Sequence, residues 1–135
     1  MTADRARTVL RTDAVVDLLV GVLFILGTWD GLYEALDLPQ GVPAIFVQVG
    51  GALSIAWAYL LWTAAATPAL ARLVAGAGAL ANALAAVIIA AWLIFRDKPD
   101  LEVGTQGIVE LIVVVLVLAG FAVAEAVIAR NEPGY

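Results

Sequence analysis

The sequence predicts an all-α integral membrane protein, a four-helix bundle with its N- and C-termini on the cytoplasmic side. Three observations predict it. First, 64% of the 135 residues are hydrophobic, the mean hydropathy is +1.02 and only 14% are charged. A soluble domain is about half apolar and roughly a quarter charged, so this chain lacks the polar groups to cover a surface in water. Second, the chain holds four apolar runs, each near the about 20 residues a helix needs to cross the hydrocarbon core. Third, lysine and arginine are divided unevenly between the segments that join those runs.

The first span covers about 14–36, "AVVDLLVGVLFILGTWDGLYEAL". Arg5, Arg7 and Arg11 precede it, as in a secretory signal. The apolar run is longer than a signal core and lacks a clear small-x-small cleavage site, so it reads as a retained helix. The second span, near 43–65, sits in a stretch from Leu38 to Ala71 with no charged residue, punctuated by Pro39, Pro43 and Pro68. The third, near 70–95, falls in the uncharged run between Arg72 and Arg96. Thr67 reads as its cap and Pro68 as its first helical residue. The fourth, near 105–129, is "TQGIVELIVVVLVLAGFAVAEAVIA". "DLPQGVP" and "RDKPDLEVGT" read as connectors, and "RNEPGY" as a polar tail. One membrane domain over 1–135 accounts for these elements, and no soluble domain is expected at either end.

Sidedness follows the cations. With the N-terminus inside, Arg5, Arg7, Arg11, Arg72 and Arg130 lie on the cytoplasmic side and Arg96 and Lys98 on the other. The aromatic residues fit two interfacial belts: Trp29, Tyr33 and Trp92 outside, Trp57, Tyr59 and Trp62 inside. The expected location is the cell membrane, crossed several times.

Composition also excludes functions. The chain has no cysteine and no histidine, which removes thiol chemistry, the commonest metal ligand and the usual general base near neutral pH. No metal site and no cofactor are expected. The net charge of −5 and the lack of basic runs argue against a nucleic-acid partner.

The informative residues are acids. Asp13, Asp17, Asp30, Glu34, Glu110 and Glu125 lie within or at the edges of the spans. Asp17 and Asp30 are separated by about 20 Å of helix and Glu110 and Glu125 by about 22 Å, both less than the roughly 30 Å hydrocarbon core. They are therefore expected just inside its two boundaries, with Asp17 and Glu125 at the cytoplasmic edge and Asp30, Glu34 and Glu110 at the outer one. The preferred reading is a belt of edge charges, paired with Arg11, Arg72 and Arg130 or reaching toward water. Asp13 and Asp17 would then occupy the first turns of their helix, where the macrodipole favours anions. The sharper reading takes Asp17, Glu125, Glu110, Asp30 and Glu34 as candidate proton- or ion-binding residues. It rests on the cost of ionisable groups inside a span. If Asp17 met Glu125 without an arginine, one of the two would have to hold a proton or a cation.

Other polar groups are few. Ser54 and Asn82 fall near the middle of their spans and, with Gln48, are expected as interhelical hydrogen-bonding residues. Small residues supply close-packing faces: Gly27 and Gly31; Gly50, Ser54 and Ala58; and Ala75, Ala79, Ala83 and Ala86.

The stretches "GVLFILGTWDGLYEAL" and "TPALARLVAGAGAL" resemble the DoxX-type small membrane proteins over spans one to three. The resemblance implies a compact four-helix fold and no activity. That family's first helix often carries an arginine where this chain has Asp17, and the redox residues of its enzyme-like members have no counterpart in a chain without cysteine or histidine.

The preferred functional reading is a structural or accessory membrane protein, not an enzyme. It would work through helix contacts in lipid, with a second copy or within a larger membrane complex. The alternative is a small proton- or cation-conducting transporter or channel subunit that uses the edge carboxylates. A third, weaker reading is an enzyme acting on a lipid or quinone at the water edge.

Overall fold

The computed structural model describes residues 3–26, 34–35, 44–95 and 104–131. It is all-helical, with four long helices: α1 (Ala3–Leu26), α2 (Ala44–Ala66), α3 (Pro68–Ile94) and α4 (Thr105–Asn131). Three of them, over Ile45–Ala66, Pro68–Ile94 and Thr105–Arg130, are long and apolar enough to cross a membrane.

The largest departure from the sequence reading is α1. The helix begins at Ala3 and takes in all three N-terminal arginines, whereas the first span was expected to start near residue 14. Its 24 described residues match the 23 of α2 in length, but Arg11, Asp13 and Asp17 interrupt the apolar run, which sets it apart from the other three. Gly27, Trp29, Asp30, Gly31 and Tyr33 lie outside the described residues, as do Arg96 and Lys98. The early start also takes Asp13 and Asp17 out of the first turns of their helix. Asp4 is the acid in the first turn. Asp13 lies about 13.5 Å of helix further on, beyond the single turn over which the dipole acts. Thr12 likewise lies inside the helix, where its hydroxyl donates to the Thr8 carbonyl at 2.9 Å, one turn back.

The helices associate as two tight antiparallel pairs, α1 with α2 and α3 with α4. Smaller α2–α3 and α1–α4 contacts join the pairs. On the first pair, the Arg7 Nε donates to the Ala65 carbonyl at 3.3 Å, and the Arg11 guanidinium lies 5.3 Å from the Trp62 ring centre. At its other end Gly21 meets Gly51: a Cβ on Gly21 would come within 2.7 Å of the Gly51 carbonyl oxygen, and one on Gly51 within 2.6 Å of the Gly21 oxygen. Neither glycine belongs to the expected small-residue ladders, although Ala58 of the second ladder is buried. On α3 the buried face runs through Ala71, Ala75, Gly78, Asn82 and Ala86. Ala83, expected on that face, is exposed.

Only Thr67 separates α2 from α3. Its extended backbone (φ −125°, ψ 96°) is what a following proline imposes, because the Pro68 ring disfavours the helical region for the residue before it. Thr67 stands at the N-cap as expected, but its side chain makes no capping hydrogen bond. Thr67→Ala should therefore cost less than the about 1 kcal/mol of a bonded cap. Titration with sodium dodecyl sulfate in mixed micelles checks this. A loss at or above that figure would show that the hydroxyl does cap.

Packing is inverted relative to a soluble protein. Of the eleven buried hydrophobic residues in the described parts, eight are alanine. Large apolar side chains point outward instead, with Leu73 at 73% and Phe95 at 75% exposed. Small residues inside let helix backbones approach, and large ones outside suit an apolar solvent.

Candidate functional site

The face of α1 that turns into the bundle carries Ala6, Leu10, Asp13, Ala14 and Gly21. These residues recur at three- and four-residue steps, so they form a single stripe. Asp13 is thus carried into the core by the helix itself. It is 1% exposed. Glu125 of α4, at 0%, and Asn82 of α3, at 6%, meet it there. The Asn82 side-chain amide donates to Asp13 Oδ2 at 3.1 Å and to Glu125 Oε2 at 3.0 Å. Both carboxyl groups therefore lie against the same amide nitrogen. Three helices thereby place one amide and two acids in a single buried cluster. Asp17 follows Asp13 by about one turn on α1 and is half-buried.

Gly78 makes room for the cluster. A Cβ at that position would come within 2.5 Å of both Glu125 carboxylate oxygens. Glu125 Oε1 has no hydrogen-bond partner among the described residues, so it is the open valence of the site.

This geometry corrects the edge-belt reading for Asp13 and Glu125, which neither reach water nor pair with arginine. The expected charge partners are turned elsewhere. Arg11 lies over Trp62; two residues along a helix is about 200°, so Arg11 and Asp13 face opposite sides of α1. Arg72 is exposed and about 15 Å of helix from Asn82, and exposed Arg130 points about 140° away from Glu125. The ion pair among the described residues is Arg7–Asp4 at 3.7 Å.

The other expected residues do not join the cluster. Glu110 is half-buried near the far end of α4, and Gln106 donates to it at 2.9 Å. Glu34 is exposed, and Asp30 lies outside the described residues. Asn82 bonds to the acids rather than to Ser54, which is half-buried on α2, while Gln48 is exposed near the start of that helix. Two members of the site escaped the sequence reading. Asp13 was placed at the rim, although its spacing from Ala6 and Leu10 puts it on the small-residue stripe. Gly78, within "AGAGALAN", belongs to none of the expected small-residue faces.

Chemically, two carboxyl groups gathered at one buried amide with no cation beside them can share a proton, and the protonated one can then donate as well as accept. Among the described residues no group of three acidic, histidine or cysteine side chains is arranged to hold a metal ion. No family model, curated protein or solved structure matches the chain.

Proposed function

We propose that the chain is a multi-pass membrane protein that handles protons through the Asp13–Asn82–Glu125 cluster, as a small transporter or channel subunit. The three apolar helices and the inverted packing support a lipid environment. The excess of arginines around the N-terminus, Arg72 and Arg130 supports cytoplasmic termini in the cell membrane.

One observation carries the functional reading: two acids meet in the core, bridged by one amide, with no arginine paired to either among the described residues. Ionisable groups inside a membrane bundle are expensive and are retained mainly where they act. Two carboxylates gathered at one amide call for one compensating positive charge. A proton fits such a small buried cluster, whereas a hydrated or fully coordinated cation would need several oxygen ligands around it. The function is then uptake and release of that proton, with half-buried Asp17 as the next acceptor along α1.

The test is proton flux in proteoliposomes carrying a trapped pH-sensitive dye under an imposed potassium diffusion potential. Wild-type protein should collapse the gradient faster than empty vesicles do, and Asp13→Asn and Glu125→Gln should return it to the empty-vesicle rate. Folded wild-type protein indistinguishable from empty vesicles would overturn the reading.

A structural or accessory role is the second reading. Its supporting observation is that the cluster's hydrogen bonds tie α1, α3 and α4 together where α1 and α4 otherwise touch little. On that reading the two amide substitutions change assembly and leave vesicle flux at background.

A further inference from the structure

A small cleft opens at the end of the bundle where α1 begins, against the α2–α3 junction. Ala3, Ala6, Arg7 and Leu10 line one side, and Ala64 and Ala71 the other. Its volume of about 40 Å³ holds one to a few water molecules. Arg7, bonded to the Ala65 carbonyl and near Asp4, makes its polar wall.

Beyond the cleft the core is closed by buried apolar side chains. Leu10, Leu61 and Ile128 are its largest fully buried apolar side chains, and they belong to one contiguous cluster with the cleft alanines. The order along the helices is consistent. On α1, Ala6 and Arg7 line the cleft, Leu10 closes it, and Asp13 follows about 4.5 Å further along the axis. On α4, Ile128 precedes Glu125 by the same step, seen from this end. On α3, Ala71 lines the cleft and Asn82 lies further in.

We propose that this cleft is the water-side mouth of the carboxyl cluster and that the Leu10–Leu61–Ile128 layer is its hydrophobic gate. The inference rests on the proton-handling reading above. Apolar constrictions gate by excluding water, and they conduct once a side chain moves aside. The layer is a single side chain thick along α1, so displacing Leu10 joins cleft water to Asp13. The unpartnered Glu125 Oε1 is the acceptor such water would reach.

Carbodiimides, which react with protonated carboxyls, test this in the full chain in detergent, with the modified residues located by mass spectrometry. A lipid-soluble carbodiimide should modify Glu125 in the wild type. A water-soluble carbodiimide with a charged amine should modify Asp13 and Glu125 only slowly. Leu10→Ala should speed that aqueous reaction by roughly tenfold or more, because modification tracks the population of the open form. Ala3→Phe, at the exposed mouth, should slow it again in the Leu10→Ala background. Should Leu10→Ala fail to fold, Leu61→Ala carries the test from a helix that contributes nothing to the cluster. Aqueous rates indifferent to these changes, with Glu125 still modified from the lipid phase, would overturn the gate alone. Folded wild-type protein left unmodified by the lipid-soluble reagent would overturn the protonated cluster, and the gate with it.

Discussion

Gly51→Val should abolish the folded bundle. The Cβ it adds would lie 2.6 Å from the Gly21 carbonyl oxygen and 2.9 Å from the Phe24 Cβ. Overpacking a core costs about 1–3 kcal/mol when side chains can yield. Here the obstacle is backbone, so relief requires α1 and α2 to separate where their two glycines meet. The expected loss exceeds about 3 kcal/mol, a large share of the 5–15 kcal/mol that holds a typical domain. Gly21→Val should behave alike, since its Cβ would meet the Gly51 oxygen and Ile55 at 2.7 Å. Gly50→Ala and Gly120→Ala are the controls. The first would meet only Phe24, at 4.0 Å, and the second nothing within 4 Å. Both should stay within about 0.5 kcal/mol of wild type. Gel filtration and detergent-unfolding curves read all four. Gly51→Val eluting and unfolding like wild type would mean that α1 and α2 do not cross at this pair.

The second large effect belongs to Asn82. Asn82→Leu removes the amide that bonds both acids and leaves their oxygens buried without it. Stripping a buried acceptor of its hydrogen-bond partner costs about 1–3 kcal/mol, and more for a charged one, and here two carboxyls lose theirs at once. Glu125→Gln should cost far less. Its carbonyl can still accept from Asn82, and its amide can donate to Asp13, replacing the shared proton with a fixed N–H. The contrast isolates the proton: Asn82→Leu should lose fold and flux together, whereas Glu125→Gln should keep the fold and lose flux alone. Equal stability of the two variants would mean that the amide does not bridge the acids.

A milder substitution probes the same site. At Gly78→Ala the new methyl would press on the mobile end of Glu125 rather than on backbone. The helices should hold while the carboxyl leaves its place beside Asn82. The expected outcome is near-normal unfolding with proton flux reduced toward background. Normal flux would show that the carboxyl's place beside Asn82 is not needed.

Much of the fold is legible in the sequence because its signals are long. Three uninterrupted apolar stretches and a Thr-Pro junction delimit α2, α3 and α4 to within a few residues. The start of α1 is hidden for a physical reason. Residues 3–13 are polar enough to read as a flank, yet they continue one helix, with Ala6, Leu10 and Asp13 already on its buried stripe. The site is half legible. That Glu125 meets an acid of the first helix without an arginine was among the open readings, but the partner is Asp13 rather than Asp17. Depth counted from an assumed span start put Asp13 at the rim, whereas helical phase puts it inside. The pairing with Asn82 depends on how α3 faces α1 and α4, which no local pattern encodes.

Infrared absorption offers the most direct check on the buried carboxyl pair. Among twelve acidic residues, those open to water are ionised in mildly alkaline buffer. Wild-type protein should still show the carbonyl stretch of one protonated carboxyl, shifted in heavy water and absent from both Asp13→Asn and Glu125→Gln. A wild-type spectrum holding only carboxylate bands, from protein that is folded, would contradict a proton held between Asp13 and Glu125.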